Sequence, residues 1–546
     1  MSETATQMVT ILVDDQEYQV PAGILLIDAI TEYVQFDMPR FCHHSRLDPV
    51  GMCRMCMAEV ENRGRWMNVA TCTMRVADGL KVRVMSPGAV QARKMTLELL
   101  LVNHPLDCPV CDKGGECMLQ DQTVEFGPEV ARTIDPRRKY TKPVPISRYV
   151  LLDRERCVHC SRCTRYVDEI AGEKTIELIN RGYYTEISPA FDEDYDSHFS
   201  GNTCDICPVG ALTSATFRFG SRPWEMQGRK AISPFDSCGS NLRLDVRENV
   251  VRRIMPWENT AVNDLWISDR ERFHHEVILD DSRLDVPLVR NQESGELEPA
   301  TFEDALLAAV DGLAKAVAEG RPLAGIGSTV LPCEDQYLFG KFVRGVLGTN
   351  NLATSKPLDY ELRAGLVPSY DELERAQTFL VAGNPIADLP IAWLRIHKAV
   401  RKKGARLLSI NSQDYHLNLA SSFNLECERG KEALVVKALL HQVYSGKLHH
   451  PNSIRAHSKG LTDASATWQL DLEQAAAAAG ADAGRLRDLA QTLAESSDLV
   501  VVSPQMDGRP DGNALRDALW NLALLLDVAG QEHGGWLEYV HNCNGR

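Results

Sequence analysis

Between Cys42 and Cys207, eleven of the sixteen cysteines in this 546-residue chain fall into three spaced sets. Cys42, Cys53, Cys56 and Cys72 make C-x10-C-x2-C-x15-C. His104, Cys108, Cys111 and Cys117 make H-x3-C-x2-C-x5-C. Cys157, Cys160, Cys163 and Cys207 make C-x2-C-x2-C-x43-C, closed by Pro208. Each set offers four soft or borderline donors, the number an iron–sulfur cluster needs. Donors spaced this way call for loops wrapped round an inorganic core, with the rest of the chain positioning and insulating them.

Length and composition narrow the classes. A chain of 546 residues exceeds one ordinary core and points to three or four domains. A hydrophobic share of 44% and a charged share of 25% are those of a soluble globular protein. The formal charge of −16 argues against a nucleic-acid binder, whose footprint is basic. The opening MSETATQMVTILVDD has no basic segment followed by an apolar one, so no secretory signal is expected. No stretch approaches the ~20 apolar residues of a membrane span, so membrane contact is expected only through partners. Cysteines without a secretory signal favour metal ligation over disulfides.

Taken in order, residues 9–33 alternate apolar and polar side chains on both sides of Asp14-Asp15 and then take helical spacing from about Gly23. That is a hairpin followed by a helix, the opening of a β-grasp domain of the plant-type ferredoxin kind. The first cysteine set follows and fits a [2Fe–2S] cluster, although its first gap is longer than the plant-type spacing. A zinc ribbon expects two C-x2-C pairs, and this set has one. Ser86-Pro87 reads as an N-cap and first helical position, with the helix covering 88–103 and ending at His104-Pro105. A lone histidine there reads first as a cap. Because only three cysteines cluster beside it, and a cubane has four irons to ligate, His104 is the nearest fourth donor. Gly114-Gly115 let the chain wrap closely. Residues 128–150 are proline-rich and basic and read as a connection.

RCVHCSRCTRYVDEIAG (156–172) is half of the bacterial ferredoxin pattern, with a helix from about Thr164. Cys204 rivals Cys207 as its fourth ligand; Pro208 favours Cys207 and leaves Cys204 a buried free thiol. Beyond residue 230, Cys238, Cys333, Cys427 and Cys543 make no ligand spacing and read as core residues. Buried strands are predicted at Leu323–Ile326, Thr378–Ala382, Arg406–Ile410 and Leu499–Val502. Helices are predicted over 334–347, 390–403, 431–445, 484–496 and 512–528, with Ala475–Ala479 inside another. Alternating strands and helices imply a parallel sheet covered by helices. Neither a Walker loop nor G-x-G-x-x-G occurs.

RFCHHSRLDPVGMCRMCMAEVE (40–61), VNHPLDCPVCDKGGECMLQDQ (102–122), the 156–172 loop and SGNTCDICPVGALTS (200–214) together resemble the large iron–sulfur subunits (75 kDa) of NADH:quinone oxidoreductase, respiratory complex I. RPWE (222–225), GSN (239–241) and VNDLWISDRERF (262–273) extend the resemblance, which is close over 8–280 and loose beyond. It implies an α+β multidomain protein. Its parts are a β-grasp [2Fe–2S] domain (1–85), a histidine-ligated [4Fe–4S] segment (86–138), an all-cysteine [4Fe–4S] segment (139–229) and a molybdopterin-oxidoreductase-like α/β domain (230–546).

The resemblance further implies a peripheral place on the cytoplasmic side of the inner (plasma) membrane. Partners are then the flavin/NADH-binding subunit, the ferredoxin-like subunit and other peripheral-arm subunits of a proton-pumping enzyme. It sets the [2Fe–2S] centre and the all-cysteine cubane on the main line of transfer and the histidine-ligated cubane off it. No FMN is expected in this chain. VAGNPIADLP (381–390) resembles the turn that holds a pterin dinucleotide, yet no cysteine occurs between Cys333 and Cys427. Only Ser355 or Asp359 could stand in as a metal ligand, so molybdenum is not expected. A further [4Fe–4S] site of some members is expected to be absent, since Cys238 stands alone and Ile267 replaces the distant ligand. The last domain also stops early against the family pattern and reads as either shortened or completed by another polypeptide. The rivals are the molybdenum subunit of an NAD-linked formate dehydrogenase, an [FeFe]-hydrogenase lacking its catalytic half, and a zinc scaffold.

Overall fold

Val9, Ile11 and Val13 put one side of the first strand into a core, and their alternation sets the opening sheet. The computed structural model describes residues 7–190, 194–328, 331–354, 367–412, 417, 420–450, 465–504 and 512–539. β1 (Met8–Val13) and β2 (Gln16–Pro21) form an antiparallel hairpin. Its turn residues, Asp14 and Asp15, both have positive φ, as a two-residue hairpin turn demands. With β3 (Met57–Asn62), β4 (Arg65–Ala70) and β5 (Leu80–Arg83) the order is β2-β1-β5-β3-β4, β5 running parallel to β1. α1 (Leu26–Glu32) buries Leu26, Ile27, Ala29 and Ile30. This is the expected β-grasp.

α2 (Pro87–Val102) starts where expected, the Ser86 hydroxyl accepting from the Ala89 N–H at 3.2 Å. Its buried Arg93 donates to the carbonyls of Met57 and Val84, fastening α2 to the sheet. α3 (Met118–Phe126) begins just after Cys117. Residues 128–143 are free of helix and strand, in keeping with a connection. Val150–Leu152 then pairs antiparallel with Leu212–Ser214, so the chain just before Cys157 lies beside the chain just after Cys207.

The C-terminal part holds a five-stranded parallel sheet, in the order Phe423–Glu426, Arg406–Asn411, Thr378–Ala382, Leu499–Pro504, Gly535–Tyr539. Helices lie at Cys333–Gly345, Pro390–Lys403, Glu432–Ser445, Leu472–Ala478, Ala483–Ala494 and Gly512–Leu525, close to the predicted spans. One apolar core runs from the β-grasp sheet through the cysteine segments to Phe379, Trp393 and Ile396. A second fills the far face of the parallel sheet with Leu380, Leu408 and Val501. Trp393 Nε1–H donates to the Ala171 carbonyl at 3.1 Å, seating the 390–403 helix on the end of the third cysteine segment.

Several expectations change. The strand predicted at Leu323–Ile326 is Gly325–Gly327, which among the described residues pairs, in parallel, only with Leu352–Thr354. Ile326 is 75% exposed there, because the two flanking glycines carry the inward face and Phe339 and Val343 pack on them. The helix Phe302–Ala318 and the short strands Phe423–Glu426 and Gly535–Tyr539 were not foreseen. Cys238 and Cys427 are buried, but Cys333 is exposed at a helix start, where only its backbone is needed. Cys543, Ser355 and Asp359 lie outside the described residues.

Candidate metal centres

The first set is assembled by the β-grasp sheet. Cys42 lies beyond α1, Cys53 and Cys56 lie in the loop entering β3, and Cys72 lies in the turn leaving β4. Both the N–H and the hydroxyl of Thr71 donate to the Cys56 carbonyl at 3.0 Å, tying the two loops together. Gly51 takes a left-handed φ of 62° in that loop, with Arg54 left-handed beside the thiols. The Cys42 N–H donates to Cys53 Sγ at 3.4 Å, and the Cys53 N–H to Cys42 Sγ at 3.5 Å. Hydrogen bonds from Cys53 and Cys72 hold the Cys42 thiol far below its usual range, at about 2. A hydrogen bond from Cys72 brings Cys56 down to about 6. Cys53 and Cys72 are pushed up by the same hydrogen bonds and by burial. Two sulfurs thus accept hydrogen bonds from the other two, which brings the four candidate donors together.

The second set lines a cavity of about 280 Å³ shared by His104, Cys108, Cys111, Cys117, Arg156 and Gly210. Cys117 is the N-cap residue of α3, and His104 follows the C-cap of α2. A Cβ on Gly210 would stand 2.1 Å from Cys111 Sγ, so this close approach requires glycine. Gly114 is less constrained but still close, its would-be Cβ 3.1 Å from the carbonyls of Cys108 and Cys111. Burial, and then the nearby Arg156 charge, lower the His104 imidazole to about 4, leaving a neutral ring nitrogen able to bind a metal at neutral pH. Burial raises Cys111 and Cys117. Cys108 is exposed, so this site opens to the surface. Among the described residues no group of three or more His, Cys, Asp or Glu side chains closes round a single ion, as a mononuclear zinc site would need.

The third set depends on the strand pairing described above. Left-handed His159 and Ser161 fold the Cys157–Cys163 loop back on itself before α4 (Arg162–Tyr166). Cys207 caps the C-terminus of α5 (Asn202–Ile206). Burial raises the thiols of Cys157, Cys160 and Cys163, and the other members, Cys207 among them, push each further up. Cys160 reaches about 11. Cys204 instead lines a separate cavity of about 60 Å³ with Asp112, Lys113, Glu116 and Arg272, and it is only half-buried. Cys207 is therefore the residue grouped with the loop.

The third loop also touches both other sites. Arg165 donates to the Cys42 carbonyl and Arg162 to the His43 carbonyl, joining it to the first set. Cys157 and His104 line one cavity of about 220 Å³, and the Met118 N–H donates to the Pro208 carbonyl at 3.2 Å, joining it to the second. Sequence reasoning missed these arginines and Gly210. The only sign of them was basic residues inside a loop of thiols.

Family models match in the same order along the chain. They are a 2Fe-2S iron–sulfur cluster binding domain at 6–87 and the NADH-ubiquinone oxidoreductase-G iron–sulfur binding region at 93–132. The ferredoxin-like domain of NADH-quinone oxidoreductase subunit 3 follows at 147–213, an NDSU1/NuoG-like 4Fe-4S domain at 227–276 and molybdopterin oxidoreductase at 283–546. An NADH-quinone oxidoreductase subunit of Streptomyces coelicolor is 41% identical over 430 residues, covering 74% of this chain and 50% of that one. The chain belongs to the 75 kDa iron–sulfur subunit family of NADH-quinone oxidoreductase.

Another member of the 75 kDa family, the mitochondrial NADH dehydrogenase [ubiquinone] iron-sulfur protein 1 of Solanum tuberosum, is 35% identical over 408 residues, covering 73% of this chain and 54% of that one. The chain spans about half the length of the curated relatives it matches. A solved structure, an NAD+-reducing [NiFe]-hydrogenase, is 26% identical and covers 39% of this chain and 90% of its own, with a TM-score of 0.35. In the 227–276 region this member of the 75 kDa family has one cysteine, Cys238, and Ile267 is fully buried against Leu242 and Ile254. Among the described residues no helix is long and apolar enough to cross a membrane.

Proposed function

We propose that this chain is an electron-transfer subunit of a proton-pumping NADH:quinone oxidoreductase. It would receive electrons from a flavin on a partner subunit and pass them towards quinone. The observation that carries the reading is that three four-donor sets lie in contact, the third loop touching both others. Cys42, Cys53, Cys56 and Cys72 would hold a [2Fe–2S] cluster; His104, Cys108, Cys111 and Cys117 one [4Fe–4S] cluster; and Cys157, Cys160, Cys163 and Cys207 another. When bound, such clusters supply one-electron transfer with little change of shape.

The chain's own residues do the rest. The thiols and the neutral His104 present lone pairs, and Gly210 and Gly114 allow the backbone to close in. Burial of Cys56, Cys72 and Cys160 keeps water from the donors. Because the histidine-containing set shares a cavity wall with Cys157, we assign it to the same line of sites and do not retain its expected place on a side branch. Partners are the flavin-bearing and ferredoxin-like subunits of the peripheral arm, at the cytoplasmic face of the membrane.

Cys238 is the one cysteine of the 227–276 region, and no cysteine occurs between Cys333 and Cys427 to serve as a molybdenum ligand. We therefore assign neither a fourth cluster nor molybdenum to the chain. Metal analysis of anaerobically purified protein tests the whole reading. About ten irons per chain, from one [2Fe–2S] and two cubanes, without molybdenum, supports it. Stoichiometric molybdenum would shift it to the formate dehydrogenase subunit.

A further inference from the structure

Two arginines six residues apart, Arg156 and Arg162, are buried beside the candidate sites, and their electrostatics differ. Arg156, at the second site, is compensated by Asp107 at 2.9 Å and Asp153 at 3.0 Å. Arg162 is 5% exposed, and among the described residues no carboxylate pairs with it. Its Nη1–H donates to the Ile206 carbonyl at 3.3 Å, next to Cys207, and approaches Met118 Sδ at 3.5 Å, next to Cys117. Its Nη2–H donates to the His43 carbonyl, next to Cys42. Its Nε–H is buried without a hydrogen-bond partner. The ionisable groups facing it most strongly are Cys160 and Cys207, followed by Arg40 and Cys53.

A buried guanidinium without an anion is costly, and a buried donor left empty adds to that cost. Carboxylates compensate the arginine at the site with one neutral imidazole. No carboxylate among the described residues compensates the arginine between the two sites with four thiols each. A cluster held by four thiolates carries net negative charge, and reduction adds one more, so its potential follows the charge and hydrogen bonds around it. We propose that Arg162 is a positioning residue that serves as the shared counter-ion of the Cys42-Cys53-Cys56-Cys72 and Cys157-Cys160-Cys163-Cys207 sites. Its Nε–H is available to a sulfur of the latter. By favouring the more negative state it raises both potentials, and its remaining N–H groups lock the three loops in register. This inference rests on the ligand sets proposed above.

The test is a redox titration, followed by electron paramagnetic resonance, of the complex assembled with Arg162→Gln or Arg162→Lys. In the unmodified complex, signals from three centres establish the ligand sets; their absence would overturn those sets and this inference with them. With the signals present, Arg162→Gln is expected to lower the potentials of the first and third centres and leave the second nearly unchanged. Arg162→Lys, which keeps the charge without the fork, is expected to restore most of the shift. Unchanged potentials in Arg162→Gln with full iron content would overturn the proposal. If Arg162→Gln loses clusters, Arg162→Lys decides. Retained clusters at near-native potentials support the counter-ion role, and equal loss of iron in both variants assigns Arg162 to folding alone and overturns it.

Discussion

Around Cys42, Cys108 and Cys157 the chain runs as loops, with left-handed Arg54, His159 and Ser161 and with buried arginines threaded between thiols. At Thr378–Ala382 and Leu499–Val502 it runs as strands buried on both faces, every residue nearly inaccessible. The strands need nothing but their own apolar side chains. They sit between helices, and Leu380, Leu408 and Val501 close a core without polar members at those positions. The loops gather sulfur, imidazole and guanidinium groups, which are costly to bury unless each finds a partner. Their ordered form depends on what they hold, so metal binding there is part of the folding free energy. The parallel sheet is thus stabilised mainly by burial, and the cysteine segments by burial and by their ligands together.

Four predictions put that contrast at risk. Cys160→Ala should remove the third cluster, the all-cysteine cubane, and reduce NADH-to-quinone transfer to background. Full activity in a protein whose iron and resonance signals show that cluster gone would remove it from the path. Leu380→Ala should cost about 2–5 kcal/mol of stability and leave the iron content per chain unchanged, as read by denaturant unfolding beside metal analysis. A loss of iron would mean that the two halves are not separable in this way.

The pH response should also divide. Glu173 is fully buried in the third segment, and burial raises its carboxyl to about 8. The folded state therefore keeps a proton that the unfolded chain releases above about 4.5. That stabilisation is present below pH 4.5 and is lost as pH rises to about 8. Glu173→Gln should flatten the decline, by a few kcal/mol at most, without altering unfolding of the parallel sheet. An unchanged pH profile would show that Glu173 is ionised in the fold. The smallest effect belongs to His104→Cys, which should keep the iron count and move only the potential of the second centre. An unaltered potential and spectrum would mean that His104 is not a ligand.

Much of this was legible in the sequence. The spacing of the cysteines marked the candidate donors and the order of the segments, because donors drawn from one short loop are close in sequence. Alternation at Val9, Ile11 and Val13 marked a strand, and Ser86-Pro87 marked the start of α2, because both signals are local. Other features depended on residues far apart. Cys207 joins the Cys157 loop, and Cys204 does not, because the Val150–Leu152 and Leu212–Ser214 strands pair and α5 ends at Cys207. Gly210 matters because Cys111, 99 positions away, comes to lie against it. Cys333 proved exposed, since composition marks cysteine as apolar but cannot say which face of a helix meets a core. Which atoms are candidates for holding metal could be read from the order of residues alone. Their neighbours, and above all the charge of Arg162, came from the folded arrangement, because electrostatic effects depend on distance in space and on burial.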